Sequence, residues 1–546
     1  MRSAKGVTSV DDVHGQDMQT SGVSRRDVIK GAGATALGLG IAGGLGAGTA
    51  GAAAPSAPKK GGSLRIGITG SAADIMDPQY IVAKADQART LSTWETLLTF
   101  DENFATTSDY GLATEVSNKG ASQYTVRLRK GVEFHNGKEM TADDVVYSYR
   151  RLLNPSIVSV GKPLRTFVDP SGVTKVDKYT VRFDLKAPNV EFRSALAVYT
   201  HGIVPDGFVL RTDADRIGTG AYKLVSFTPG RESVHKRYAN HWEADKAYLD
   251  EVRIITFSDK TALVNALLAK QIDAAVDIPL AQFATLKKNK NLSVIESSAG
   301  AWDAMCMRLD IPPMNDPNVR AAMRLLVNRK QMIQQVLSGR GQVANDLYGR
   351  IDEFYNANNF PQREQDIPAA LKLLAKSGYS KAKPLVVDLW APNDTGGLPE
   401  MVNAMAAMAD KTGGVVKINA KVVDGTYWDT NGQYMNTAFF TTYWSPRAYL
   451  AQAIASMDTY PETKWPPSNS TFRADHKTAS GTVNPAKRKA IVARMQKEEW
   501  EKGTYIIPYF KVFADAFTKK LNGVEQRPSQ LNLDYYGHGF KNFWLA

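Results

Sequence analysis

Along residues 124–153 the side chains change period once, and the change marks a strand giving way to a helix. "YTVRLR" (124–129) alternates apolar and polar positions, as a half-buried strand does. Lys130-Gly131 turns the chain, and "VEFH" runs into Asn136-Gly137, a strong two-residue hairpin signal. Thr141, three residues before Asp144, then opens a helix whose apolar positions Val145, Tyr149, Leu152 and Leu153 fall on one face. Other strand signals are "SLRIGIT" (63–69), "KYTVRFDL" (178–185) and "DEVRIITF" (250–257). "KTALVNALLAKQIDAAV" (260–276) reads as a helix leading into a buried strand. In "MNDPNVRAAMRLLVNRKQMIQQVLSG" (314–339) two helices follow each other, the first opened by Asp316-Pro317 and the second ended by Gly339. "PLVVDLWAP", "LPEMVNAMAAMADKTGG" and "VVKINAKVVD" (384–424) make one strand–helix–strand unit of a largely parallel sheet. Within it Met401, Met405 and Met408 keep helical spacing, which suits core packing.

Length and composition set the outer limits. A chain of 546 residues exceeds one ordinary core, so two or three domains are expected. With 43% hydrophobic and 22% charged residues it has an ordinary globular composition. The net charge of +12 is spread along the chain without a basic stripe interleaved with aromatics, which argues against nucleic acid as a partner. "SRRDVIK" (24–30) precedes a Gly/Ala-rich apolar run with Ala-x-Ala endings at Ala52 or Ala54. This pattern reads as a cleaved export signal over residues 1–54, with Arg25 and Arg26 placed as in a twin-arginine signal. The alternative, an anchoring membrane helix, is disfavoured because so many glycines weaken a helix and add little apolar area. The one cysteine, Cys306, excludes a disulfide within the chain and a cysteine metal site, and leaves no lipid-anchor cysteine after the signal.

Motifs of catalysis and cofactor binding are missing. The chain has no Gly-x-Ser-x-Gly elbow, His-Glu-x-x-His, Walker loop or calcium loop. "IGTGAYKL" (217–224) carries two glycines of a dinucleotide fingerprint, lacks the third and opens a strand rather than a helix. His135 lies near Asp143 and Asp144 with no nucleophile beside them, and both acids suit the first turn of a helix. His235 and His241 flank Tyr238 in an expected surface loop without metal-pair spacing. No cofactor and no metal site are expected.

Taken together, several segments resemble a known family. "YTVRLRKGVEFHNGKEMTADDVVYSY" resembles the signature of the extracellular solute-binding proteins of family 5, which deliver peptides, nickel complexes and related solutes to ABC importers. "DPQY" (77–80), "IGTGAYKLVSF", "YANHWEADKAYLDEVRIITF", "NDPNVRAAMRLLVNRKQMI" and "YIIPYFKV" are similar to further family segments, in the family's order. The resemblance implies an α/β, two-lobed periplasmic binding protein fold of type II, hinged between its lobes. Lobe I would span 55–305 with an extra subdomain at about 100–198, lobe II 306–509, and the chain would return to lobe I over 510–546. Function in such a fold is capture by closure, with a small organic or peptide-like ligand passed to membrane permease subunits that ATPase subunits serve. A monomer, free in the periplasm, is expected. A secreted hydrolase and a chemoreceptor-type module on the same fold are the alternatives.

For the site, the tryptophans are the guide. Trp390, Trp428, Trp444 and Trp465 fall in one part of lobe II, and Trp444 and Trp428 are expected to face the cleft. The candidate ligand contacts are Trp444, Arg447, Trp302, Asp303, Trp428, Tyr449 and Tyr80. In the family's peptide binders a Trp in this region is followed three residues later by an Asp that pairs the peptide's amino group. Here "TTYWSPRAYL" places Arg447 at that offset, where a guanidinium suits a carboxylate or phosphate. Arg447 either faces the cleft in this way or points to solvent. Peptides, opines, amino-acid conjugates and sugars all remain open as ligands. The signal reading has its own test. N-terminal sequencing of exported protein should start close to Ala54, and changing Arg25 and Arg26 together to Lys should block export. An exported product that keeps Met1 contradicts it.

Overall fold

The computed structural model describes residues 57–546, except 82–83, 102–103, 155, 157–163, 299, 394, 429–430, 467–469 and most of 525–539. The expected signal over residues 1–54 therefore lies outside the described residues.

Two large sheets organise the chain. The first has seven strands in the order Leu292–Ser297, Phe513–Thr518, Ala274–Ala275, Ser63–Thr69, Glu251–Phe257, Glu232–Arg237 and Tyr222–Thr228. Its central strand, Ser63–Thr69, is parallel to both neighbours, Glu251–Phe257 and Ala274–Ala275. Leu64, Ile66 and Ile68 are buried on one face of this strand, and Gly67 is buried on the other. At Gly67 the helix Lys260–Leu268 packs so closely that a Cβ would stand 2.4 Å from the Leu263 side chain.

The second sheet has six strands in the order Gly341–Val343, Tyr505–Lys511, Trp302–Met307, Phe439–Trp444, Leu385–Pro392 and Val416–Val423. Leu385–Pro392 and Val416–Val423 pair in parallel through the helix Leu398–Asp410, the unit expected from the sequence. Met401, Met405 and Met408 are fully buried there. This sheet has a core on each face. One is aliphatic and methionine-rich, under the helices; the other is aromatic, holding Trp302, Tyr348, Phe440, Trp444, Tyr449, Tyr505 and Phe510.

The chain passes between the sheets at 298–301 and at Val512, the segments separating adjoining strands of the two sheets. The boundaries read from the sequence, 305/306 and 509/510, fall inside the strands Trp302–Met307 and Tyr505–Lys511. Hydrogen bonding keeps each strand whole in the second sheet, so the crossings sit just outside both strands.

Inserted in the first lobe is a four-stranded antiparallel sheet ordered Ala113–Lys119, Gln123–Leu128, Thr180–Leu185, Val168–Asp177. The helix Ala142–Leu153 buries Val145, Tyr149, Leu152 and Leu153 against it. The Thr141 N–H donates to the Asp144 carboxylate at 2.8 Å, as the spacing of the two residues anticipates. His135 is buried, with Nε2 2.8 Å from the Gly220 carbonyl, so it ties this subdomain to the "IGTGAYKL" segment. His235 and His241 are also buried, which corrects the surface-loop expectation: His235 lies on the strand Glu232–Arg237, and His241 packs against Glu95. The carboxylates of Glu95 and Glu243 beside His241 already face the Lys541 ammonium.

Burial pushes the imidazoles of His135 and His201 down to about 4 and that of His235 to about 3. These groups are neutral in the fold, whereas an unfolded histidine titrates near pH 6.5. The unfolded chain therefore takes up protons first, and stability falls as pH drops from about 6.5 towards 4. Thermal melts across that window should show the loss, and His135→Gln, which keeps an N–H for Gly220, should lessen it. A melting temperature that is flat over the window in the parent protein contradicts the argument.

Candidate functional site

A cavity of about 940 Å³ lies between the inserted subdomain and the second lobe. That volume is at the upper end of the usual range for small-molecule pockets. From the first lobe its wall includes Phe104, Glu191, Arg193 and Tyr199; from the second it includes Arg350, Asp352, Arg447, Tyr460 and Arg488. Residues from both lobes thus line one cavity.

Arg447 is brought there by local geometry. The strand Phe439–Trp444 ends before Pro446, and the helix Tyr449–Ile454 begins just beyond Arg447. Asp352 fixes the helix start by accepting the Tyr449 N–H at 2.7 Å. The Arg447 guanidinium lies over the Trp444 indole, 4.7 Å from the ring centroid, an arrangement in which the aromatic face attracts the cation. Its charge also reaches the first lobe: burial raises the Tyr199 phenol's pKa, and Arg447 offsets part of that rise.

Trp444 is held from behind. Its Nε1–H donates to the Glu462 carboxylate at 2.7 Å, and Tyr434, Thr442 and Tyr505 hydroxyls donate to the same group. Glu462 is fully buried. Burial raises its pKa, and the hydrogen bonds, led by Tyr505, act in the opposite direction. On its ring face Trp444 stacks with Trp302 at 6.3 Å, its partner across the strand pair.

The expected contacts sort into wall and support. Arg447 lines the cavity. Trp444, only 6% exposed, lies beneath Arg447 instead of facing the cleft directly. Trp302 is 1% exposed, stacked on Tyr348 and Trp444 in the aromatic core. Tyr449 is buried with its hydroxyl donating to Glu499 at 2.9 Å. Asp303 is buried and accepts from Lys511 Nζ at 3.0 Å and Tyr509 at 3.1 Å. Burial acts to lower the Lys511 ammonium's pKa, and Asp303 outweighs it, leaving that pKa raised. Trp428 is half-buried among Tyr427, Tyr434 and Tyr443, and Tyr80 is exposed; neither borders the cavity. Strand alternation explains most of this. Trp302 and Trp444 share a sheet face, and that face is the one the aromatic core covers.

Sequence reasoning missed Glu462, Glu191, Asp352, Arg350 and Tyr199. For Glu462 the signal is faint, because its four donors come from three separate segments. Glu191 and Asp352 belong to irregular segments, where no periodicity marks the inward side.

Residues 109–464 match the bacterial extracellular solute-binding proteins, family 5, and the chain belongs to that family. Among curated proteins it is similar to the glutathione-binding protein GsiB of Pectobacterium atrosepticum, with 23% identity over 478 residues, covering 85% of this chain and 91% of the relative. Among solved structures it is similar to AgaA of A. tumefaciens R10 in complex with agropinic acid, with 20% identity and a TM-score of 0.73 over 89% of this chain and 99% of that one. It is also similar to the periplasmic binding protein DppA of Helicobacter pylori in complex with peptide STSA, with 19% identity and a TM-score of 0.74 over 89% and 98%. These neighbours share the two-lobed binding-protein fold. Among the described residues no helix is long and apolar enough to cross a membrane.

The support for Arg447 can be measured. Trp444→Phe removes one donor from a buried carboxylate and should cost about 1–3 kcal/mol of stability. Glu462→Leu strands four buried donors and should cost more than Trp444→Phe. Urea unfolding midpoints of the two variants check this ordering, and equal midpoints would show that the Glu462 network carries little weight.

Proposed function

We propose that this protein is the extracytoplasmic receptor of an ABC importer and captures a peptide-like or amino-acid-conjugate solute carrying an anionic group. The carrying observation is Arg447, held over Trp444 in the wall of a cavity that both lobes line. A guanidinium so placed offers a carboxylate two parallel hydrogen bonds. Family membership supports delivery to a membrane permease, with the ATPase subunits beyond it. The names of the relatives, which include glutathione, agropinic acid and peptide binders, indicate which solutes to try first. The protein binds and releases its solute without turning it over, acts as a monomer, and reaches the periplasm by the twin-arginine-like signal at its N-terminus. Closure about the crossings at 298–301 and Val512 buries the solute.

Native mass spectrometry of protein purified from its own host should reveal a co-purifying solute. Calorimetry then compares its affinity for the parent and for Arg447→Asp. The expected loss is roughly 2–5 kcal/mol, as for breaking a buried charge pair, whereas an arginine at a solvated rim would give under about 1 kcal/mol. Small-angle scattering should show compaction at saturation. Undiminished binding by Arg447→Asp, or a solute without an anionic group, contradicts the proposal.

A further inference from the structure

A second arginine of the second lobe lines the cavity, and among the described residues no carboxylate is set against it. Arg350 is half-buried, and its guanidinium lies over the Phe510 ring, 5.6 Å from the centroid. Among the described residues it forms no ion pair, and its Nη1 is closed off from solvent without a hydrogen-bond partner. Burial lowers the guanidinium's pKa, and the titratable group that offsets part of this is the Tyr355 phenol. The acids of the cavity are engaged by another cation. The Arg488 charge acts on Glu191 and Asp352, and Arg488 reaches Glu353 at 3.8 Å. A partly desolvated cation without an anion is costly, and an anion arriving in the cavity removes that cost.

Strand register fixes where the two arginines stand. Trp302 pairs with Trp444 on one neighbouring strand and with Phe510 on the other. The three rings therefore project from one sheet face, with Trp302 between the two rings that carry guanidinium groups. Two strand spacings separate Trp444 from Phe510, roughly 10 Å, which is more than one carboxylate spans. The backbones bearing the arginines meet: a Cβ on Gly349 would stand 3.1 Å from the Tyr449 Cα, and Asp352 accepts the Tyr449 N–H at 2.7 Å. On its other side the Arg350 segment packs against the crossing at 298–301. A Cβ on Gly300 would stand 2.9 Å from Ile351 Cγ2 and 3.7 Å from Arg350 Cβ.

Resting on the reading that this cavity holds an anionic solute, we infer that Arg350 is a second anion-binding residue and that the solute carries two separate carboxylates, one at Arg447 and one at Arg350. Each guanidinium stands over its own aromatic ring, so each takes its own carboxylate. A solute with a single carboxylate leaves one of the two cations unmatched and binds more weakly. Preference for a diacid then follows from the charge that a monoacid leaves over. Because the Arg350 segment packs on the crossing at 298–301, the carboxylate it holds lies at the root of the cleft.

The test uses glutathione, which has two carboxylates, and its glycine monoethyl ester, which has one, with calorimetry on the parent, Arg350→Gln and Arg447→Gln. Esterification should weaken binding to the parent tenfold or more. Glutathione should lose affinity by a similar factor in each variant. The monoester should be weakened by only one of the two substitutions, since one arginine alone still has a carboxylate to hold. Without solute, Arg350→Gln should melt at or above the parent's temperature, because an unmatched cation has gone, and this verifies its fold. Glutathione held at full affinity by Arg350→Gln but weakened by Arg447→Gln overturns the second site and leaves the proposed function standing. A monoester weakened by both substitutions also overturns it, since two arginines then grip one carboxylate. Glutathione insensitive to both substitutions removes the anionic reading of the cavity as well. If glutathione does not bind the parent, the diacid class fails, and the charge of the co-purified solute alone decides the proposed function.

Discussion

Glu462 is the residue on which the site side of the second lobe depends. A carboxylate with no exposure is costly to bury, and here, among the described residues, the cost is met by four side-chain donors and no ion pair. Those donors come from the strand Phe439–Trp444, the strand Tyr505–Lys511 and the segment holding Tyr434. One acid therefore fixes the relative position of an inner strand, its neighbour's neighbour and a connecting loop. The Trp444 ring cannot rotate without losing its bond to Glu462, so the platform under Arg447 is rigid. Glu499 repeats the device a short way off, accepting the Tyr449 hydroxyl, with burial pushing its carboxyl up to about 8.

The contrast between core and cavity charges explains what each can do. In the core Asp346 is matched by Arg329 at 2.7 Å and by Arg363, and Asp303 is matched by Lys511. Such pairs satisfy one another and have nothing left to offer a solute. Along the cavity the pattern differs: Arg447 is placed by an aromatic face, and Asp352 by backbone amides. Both groups are oriented by the fold itself, so the cost of ordering them is met during folding.

How much was legible in the sequence depended on whether a residue's environment repeats along the chain. The Tyr124–Leu153 unit and the strand–helix–strand of 384–424 could be read because periodicity and caps lie within a few residues of each other. His135, left out of catalysis for want of a nucleophile, is buried with its ring against the Gly220 carbonyl. The tryptophans were harder. Aromatic content alone cannot tell a wall from a core, and Trp302, Trp444 and Tyr449 all lie on the covered side. Arg447 was legible because a motif offset, rather than a burial pattern, drew attention to it. Glu191 and Asp352 had no such offset, since what brings them to one cavity is the meeting of two lobes about 160 residues apart in sequence.

The crossings at 298–301 and Val512 then account for the division of labour. Two adjacent short segments join the sheets, so each sheet keeps its own register and core while the lobes change their separation as units. Within the second lobe Arg447 keeps its geometry to Trp444 during such a motion, because Glu462 and every one of its donors belong to that lobe. The geometry between Glu191 and Asp352 does not keep, because one acid rides on each lobe. Arg447 is therefore carried on a fixed platform, whereas the spacing of cavity residues drawn from different lobes changes with the motion.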